Sequence, residues 1–379
     1  MPRLLVSCGE PSGDLYAAEL VAHLRQRVPG LEVVGLGGDR LQAQGARLTA
    51  HVRDLAVVGL LEVVSHLPRL RRIFRAVLAE VDAHRPDVAV LVDYPDFNLR
   101  LARELKRRDI PVLYYVSPQV WAWRRGRLRA IRETVSRMLV IFPFEETVYR
   151  EAGVPVTFVG HPLVDLVRPV EDTPAFLESC GLDPDRPVVT ILPGSRRKEV
   201  AHNLSRLAAA AELLRKKKPE LQFLVALAPS LDREPVERAF APSGARLVAG
   251  ATHAALSAAR LALVASGTAT VEAALLGVPM VVVYRVSSLT YALGRPLVRV
   301  PHFAMVNLVA GREIVPELMQ SDFTAEGVAS KAAALLEDGG RYERTRQELE
   351  EVRRRLGSPG ASARAAGIVA EALGRAEKP

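Results

Sequence analysis

Cysteine is almost missing from this chain: Cys8 and Cys180 are the only two in 379 residues. So few, so far apart, they exclude a disulfide framework and any paired-cysteine metal or redox motif, and they fit a reducing compartment. Aromatic residues are also scarce, at 5%. No RNA-module signature or zinc-finger spacing is present, and the basic residues are spread over many helix-patterned segments, so nucleic acid is not an expected partner. No secretory h-region is seen; residues 4–7 read directly as a strand, and a cytoplasmic location is expected. A long hydrophobic run is lacking too. The longest apolar tract, Leu261–Val283, is interrupted by Ser266-Gly267-Thr268, Glu272 and Gly277-Val278-Pro279. It divides into strand, turn, helix and strand, and no membrane span is expected. There is no G-x-G-x-x-G fingerprint, so a dinucleotide is poorly supported.

What is present is a chain long enough for two domains, with 49% hydrophobic residues to fill two cores. Fifty-one Lys and Arg against 43 Asp and Glu leave a net charge of +8. That balance favours anionic partners such as a nucleotide, a phosphorylated substrate or acidic lipid headgroups. Short β-branched runs alternate with helical periodicity almost throughout, the pattern of βαβ units and parallel sheets. Strands are predicted at Arg3–Ser7, Glu32–Leu36, Val88–Val92, Val112–Val116, Met138–Ile141 and Thr157–Val159. A second series follows at Val188–Leu192, Gln222–Ala226, Arg246–Val248, Leu261–Ala265 and Met280–Val283. The pattern lapses over Pro162–Pro187. The expected fold is α/β, two Rossmann-like domains with parallel sheets facing a central cleft. The domains are placed at 1–165 and 166–340, with helices over 341–379 packing back on the body or on a partner subunit.

Five segments carry candidate chemistry, and each falls where a parallel strand ends, the place where open α/β sheets bind ligands. Asp93, Asp96 and Asn98 follow Val88–Val92, and Trp121 and Trp123 follow Val112–Val116. A strand-end Asp93 suits a general base; equally, it could cap the next helix while the tryptophans belong to the core. Gly9-Glu10-Pro11-Ser12-Gly13-Asp14 opens a helix where free amides favour an anion or a polar substrate edge. Ser12 or Asp14 as a helix cap is the plainer reading. Leu192–Val200 sets Arg196, Arg197 and Lys198 behind a glycine turn, a pattern suited to phosphate or simply to a solvated helix start. Ala265–Glu272 offers the amides of Ser266, Gly267 and Thr268 to a pyrophosphate, with Glu272 within reach of ribose hydroxyls. Asp93 and Asp96 do not match a calcium loop, and no metal or other cofactor is expected. His161 reads either as a satisfied loop histidine or as a functional one. Residues 57–77 mix bulky apolar side chains with Arg69, Arg71, Arg72 and Arg75, as an interfacial helix would, or an ordinary amphipathic helix. Pro68 is expected to break or start a helix there.

Together these motifs closely resemble the lipid-A-disaccharide synthase family of GT-B glycosyltransferases. The resemblance rests on residues 9–14 (GEPSGD), 93–98 (DYPDFN), 115–124 (YVSPQVWAWR), 142–145 (FPFE), 192–196 (LPGSR), 265–269 (ASGTA) and 307–313 (NLVAGRE). It implies transfer of the sugar of UDP-2,3-diacylglucosamine to 2,3-diacylglucosamine 1-phosphate, giving the β-1,6 disaccharide and UDP with inversion. On matching positions it implies Asp93 as the base, with Glu10 and Asn307 in the active site. Arg196, Ser266, Gly267, Thr268 and Glu272 would form the UDP site. Leu60, Leu61, Val63, Val64, Leu67 and Leu70 would meet the inner face of the cytoplasmic membrane, and a homodimer is one expected assembly. Pro11 and Tyr94 stand where smaller residues are expected, and Val306 replaces a proline. These departures touch acyl-chain selectivity more than the reaction. Two other readings share the features: a UDP-GlcNAc 2-epimerase or other GT-B enzyme, and a non-catalytic nucleotide-sugar-binding membrane scaffold.

Overall fold

The computed structural model describes residues 1–55, 60–121, 126–229, 231–287, 291 and 300–376, and the backbone alone of residues 60–67 and 376. The chain forms two compact units. Met1–Pro162 and Leu356–Pro379 make the first, and Leu163–Arg355 the second. The two crossings thus lie at Pro162/Leu163 and Arg355/Leu356, where the sequence reading put 165/166 and 340/341.

In the first unit seven parallel strands alternate with helices: β1 (Arg3–Cys8), α1 (Pro11–Arg27), β2 (Glu32–Gly37), α2 (Asp39–Ala43), β3 (Arg47–His51) and α3 (Leu60–Ala83). There follow β4 (Val88–Val92), α4 (Pro95–Lys106), β5 (Val112–Tyr115), α5 (Arg127–Thr134), β6 (Arg137–Val140), α6 (Pro143–Glu151) and β7 (Val156–Phe158). The sheet order is β3-β2-β1-β4-β5-β6-β7. Central strands such as Val88–Val92 are buried at every residue, as helices on both faces require, and so they read as unbroken apolar runs. Strand order reverses between β1 and β4, which creates the switch point where such sheets bind ligands. Pro68 lies inside α3 and does not interrupt it. Strand β5 stops one residue short of expectation because Val116 turns left-handed (φ +62°), a conformation that a β-branched residue adopts only under constraint.

The second unit repeats the plan. The connector carries α7 (Leu163–Leu166) and α8 (Thr173–Ser179), short helices in a stretch expected to lack them. Next come β8 (Val188–Leu192), α9 (Arg197–Lys217), β9 (Gln222–Leu227), α10 (Arg233–Phe240), β10 (Arg246–Ala249) and α11 (Thr252–Ser257). The series ends with β11 (Leu261–Ala265), α12 (Thr268–Leu275), β12 (Met280–Tyr284), α13 (Met305–Ala310), β13 (Glu317–Met319), α14 (Ala325–Glu337) and α15 (Gly339–Arg355). Its parallel order, β10-β9-β8-β11-β12-β13, places a second switch point between β8 and β11. Helix α15 carries the expected ladder of exposed ion pairs, among them Arg346–Glu343 and Arg354–Glu351. The last helix, α16 (Ala361–Ala376), returns to the first unit and packs along α1.

Candidate active site

At the first switch point the turns after β1 and β4 are tied together by Asn98. Its side chain is wholly buried. The amide nitrogen donates to the carbonyls of Ser7 (3.1 Å), Val92 (3.2 Å) and Asp93 (2.8 Å), and the amide oxygen accepts from the Ser7 hydroxyl (2.7 Å). Asn98 is therefore a clamp beneath the site and not part of its lining, as burial decided and composition could not. The Asp93 carbonyl also accepts from the Tyr114 hydroxyl (2.6 Å), and its amide donates to Tyr115 (3.1 Å). These bonds hold two consecutive non-glycine residues, Asp93 (φ +46°) and Tyr94 (φ +49°), in the left-handed region. Such strain persists where the surroundings over-determine it, and it concentrates at functional sites. Helix α4 starts at Pro95 with Tyr94 at its N-cap, so Asp93 lies one residue outside the cap position.

Glu10 is the N-cap residue of α1 and makes no side-chain cap. Asp14 caps a different helix from the one expected. Its buried carboxylate accepts from the amides of Gly38 (2.6 Å), Arg40 (3.1 Å) and Leu41 (3.2 Å), at the start of α2. Tyr94 lies flat against Gly9, where any Cβ would overlap its ring, so this glycine is needed for close approach. Burial, then the charges of Glu10 and Asp96, raise the Tyr94 phenol above its usual range. Asp96 is exposed and ion-paired with Arg127.

Trp121 takes the core reading. It is 8% exposed, stands edge-on to Phe144 (5.0 Å) and donates to Glu145 (3.1 Å). Trp123 lies outside the described residues. Glu145 also accepts from the Phe142 amide (3.1 Å), closing the start of α6. His161 is buried between Tyr16 and Phe142. Burial raises the Glu145 carboxyl to about 8, against hydrogen bonds from Phe142, Trp121 and Ser117, and lowers the His161 imidazole to about 3. His161 is therefore neutral at working pH and in no position to act as an acid.

These two shifts have opposite signs in stability. Glu145 binds its proton more tightly when folded, so its contribution is complete below its ordinary value of 4.5 and is lost as the pH rises to 8. His161 resists protonation when folded, so its contribution is complete above 6.5 and is lost as the pH falls to 3. Between 4.5 and 6.5 the two slopes, each about 1.4 kcal/mol per pH unit, cancel. Both tryptophans fall in the first unit's residue range, so urea unfolding followed by their fluorescence reports on it. Glu145→Gln should remove the decline in urea midpoint from pH 6.5 to 8.

In the second unit Gly194 (φ +126°) shapes the turn before α9, with the Glu199 carboxylate against it and accepting from the Ser195 amide (3.0 Å). Arg196 is the N-cap residue of α9. It and Glu199 lie close enough to Tyr284 to act electrostatically on its phenol, which burial raises. Tyr284 in turn stacks with the exposed Phe303, centroids 6.4 Å apart. Ser266 departs from expectation: its amide donates to Val283 (2.8 Å), and its hydroxyl reaches the Phe303 carbonyl (3.3 Å). Among the described residues of this turn, Gly267, Thr268 and Ala269 remain to present amides, the Thr270 amide donating to Gly267 (3.1 Å). Glu272, just over one turn into α12, faces His253 at 3.4 Å.

Asn307 is also a bracket. It is wholly buried, donates to Val315 (2.9 Å) and Glu317 (2.6 Å), and accepts from the amides of Ile314 (2.9 Å) and Val315 (3.1 Å). All four of its hydrogen-bonding positions are filled by the protein. Glu317, which sequence reasoning missed, completes the frame by accepting from Phe303 (2.9 Å) and Ala304 (3.2 Å). Ser266 and Phe303 therefore meet at the carboxyl end of the second sheet with Arg196 near Tyr284, and the Asn307–Glu317 pair, at the start of β13, holds Phe303 through its amide. Of the expected membrane-facing residues, the side chains of Leu60, Leu61, Val63, Val64 and Leu67 lie outside the described set. Leu70 is half-buried against the first unit's core, and Arg69 pairs with Asp54. Among the described residues, no helix is long and apolar enough to cross a membrane.

Solved structures of low sequence identity share the architecture. A UDP-GlcNAc 2-epimerase from Neisseria meningitidis, solved bound to UDP-GlcNAc, superposes with a TM-score of 0.68 at 14% identity, covering 98% of this chain and 100% of that one. The calicheamicin glycosyltransferase CalG4 gives 0.62 at 18% identity over 100% and 99%. These likenesses establish the GT-B fold alone. Sequence relatives are far closer. The lipid-A-disaccharide synthase of Myxococcus xanthus is 48% identical over 375 residues, 98% of each chain, and that of Geobacter sulfurreducens 43% over the same share. The family described as lipid-A-disaccharide synthetase matches residues 4–372. Full-length identity at this level, joined to two switch-point sites on doubly wound sheets, shows that the chain belongs to the lipid-A-disaccharide synthase family of glycosyltransferases in lipid A biosynthesis.

Proposed function

We propose that this chain joins UDP-2,3-diacylglucosamine to 2,3-diacylglucosamine 1-phosphate with inversion, and that Asp93 is the base. The observation that carries the reading is the constrained left-handed turn at Asp93 and Tyr94, at the carboxyl end of a central strand. The Asp93 carboxylate takes the proton of the acceptor 6-hydroxyl as that oxygen bonds to the donor's anomeric carbon. The bond from that carbon to the diphosphate breaks, and UDP leaves with the electron pair from the opposite face. Arg196 and the first turn of α12 meet the developing diphosphate charge with fixed dipoles and a cation, the preorganised kind of stabilisation. Gly267, Thr268 and Glu272 complete the UDP site, Ser266 contributing its hydroxyl and backbone position. Glu10 lines the acceptor side; Asn307 holds the frame around Phe303.

Both substrates carry acyl chains, so the enzyme works at a bilayer surface, and α3 with its arginines is the docking element. Serine at Leu60, Leu61, Val63 and Val64 should abolish flotation with anionic vesicles while UDP affinity stays unchanged. Retained flotation would remove α3 from that role. The reaction itself is tested by UDP release from the donor in detergent micelles with chelator present. Acceptor-dependent release is expected; epimerisation of UDP-GlcNAc with no lipid consumed would overturn the reading.

A further inference from the structure

We propose that Tyr94 is an acceptor-binding residue whose phenol O–H donates a hydrogen bond to the sugar ring of the acceptor and sets it against Asp93. The inference rests on the function proposed above and adds a residue to it. Tyr94 is built in and not merely exposed. Its ring lies on Gly9 and packs at 5.8 Å from Phe97, which stands edge-on to Phe74 at 5.4 Å. Its backbone is left-handed, and its carbonyl accepts from the amides of Phe97 (3.3 Å) and Asn98 (3.0 Å). The ring is half-buried, yet among the described residues nothing exchanges a hydrogen bond with its hydroxyl. A rigid donor without a partner, next to the residue assigned as base, is preorganised for a ligand.

Charge decides which part of the acceptor it meets. Glu10, and Asp96 within its ion pair with Arg127, both act on this phenol as negative charges. With Glu10 the larger of the two influences and Asp96 already paired with Arg127, the field at the phenol is still negative and disfavours a phosphate there, whereas a neutral hydroxylated ring accepts the O–H without penalty. The contact is therefore to the sugar and not to the 1-phosphate.

The test is steady-state kinetics of Tyr94→Phe with the 1-phosphate acceptor and with an analogue bearing a 1-hydroxyl instead. A neutral hydrogen bond present in both ground and transition states raises KM and leaves kcat alone. The acceptor KM should rise about three- to tenfold with either acceptor, while kcat and the donor KM hold. An unchanged urea midpoint by tryptophan fluorescence shows that Phe keeps the ring packing. An unchanged acceptor KM overturns the proposal, and so does a penalty seen only with the phosphorylated acceptor. A wild type that forms no disaccharide overturns the underlying function, and with it this proposal, before any variant is assayed.

Discussion

Asp93→Asn is expected to lower turnover by a factor of about 10²–10⁴, the usual worth of a positioned general base, while leaving the protein folded. The turn is held through the backbone of residue 93: its carbonyl accepts from Asn98 and Tyr114, and its amide donates to Tyr115. The carboxylate contributes none of these bonds. Asn also tolerates the left-handed region as well as Asp does, or better, so the φ of +46° is no obstacle. The variant keeps the backbone bonds that hold the turn and loses the capacity to take a proton. Single-turnover assays should show the loss, and calorimetric titration with UDP should show none. Near-normal turnover in a folded Asp93→Asn protein would place the base elsewhere.

Asn98→Leu should act in the opposite manner, through stability first. Leucine has nearly the shape of asparagine but supplies none of its four hydrogen bonds. The Ser7 hydroxyl and the carbonyls at the ends of β1 and β4 would lose partners in a fully buried setting. At about 1–3 kcal/mol for each buried group left unsatisfied, a loss of about 3–5 kcal/mol is expected. The urea midpoint followed by tryptophan fluorescence should fall with the slope unchanged. Turnover should fall as well, because the Asp93 carbonyl loses its bond from Asn98. A stability within about 0.5 kcal/mol of wild type, the range of neutral surface changes, would refute the clamp.

The contrast between these two positions shows what could be read from the chain. DYPDFN looks like one polar motif, yet Asp93 and Asn98 have different fates: one turns at a strand end beside Tyr94, the other is sealed beneath that turn, between the ends of β1 and β4. Asn307 repeats the lesson in the second unit, as does Ser266, whose amide extends the β11–β12 ladder. Residue type and spacing register that a polar group is required. They do not register whether its partners are protein or ligand, because those partners come from segments remote in sequence: Ser7 lies 91 residues from Asn98. The short edge strands β3 and β13 escaped for a related reason. Edge strands bury little, so Arg47–His51 and Glu317–Met319 carry no apolar run, and they exist only through pairing with β2 and β12.

The sequence by itself determined the two parallel-sheet units and the turns that bear chemistry, because central strands must be apolar on both faces and glycine turns must follow them. Only the tertiary structure decided which polar side chains hold those turns and which are left to meet a substrate. Burial and hydrogen-bond saturation are properties of what surrounds a residue, not of the residue.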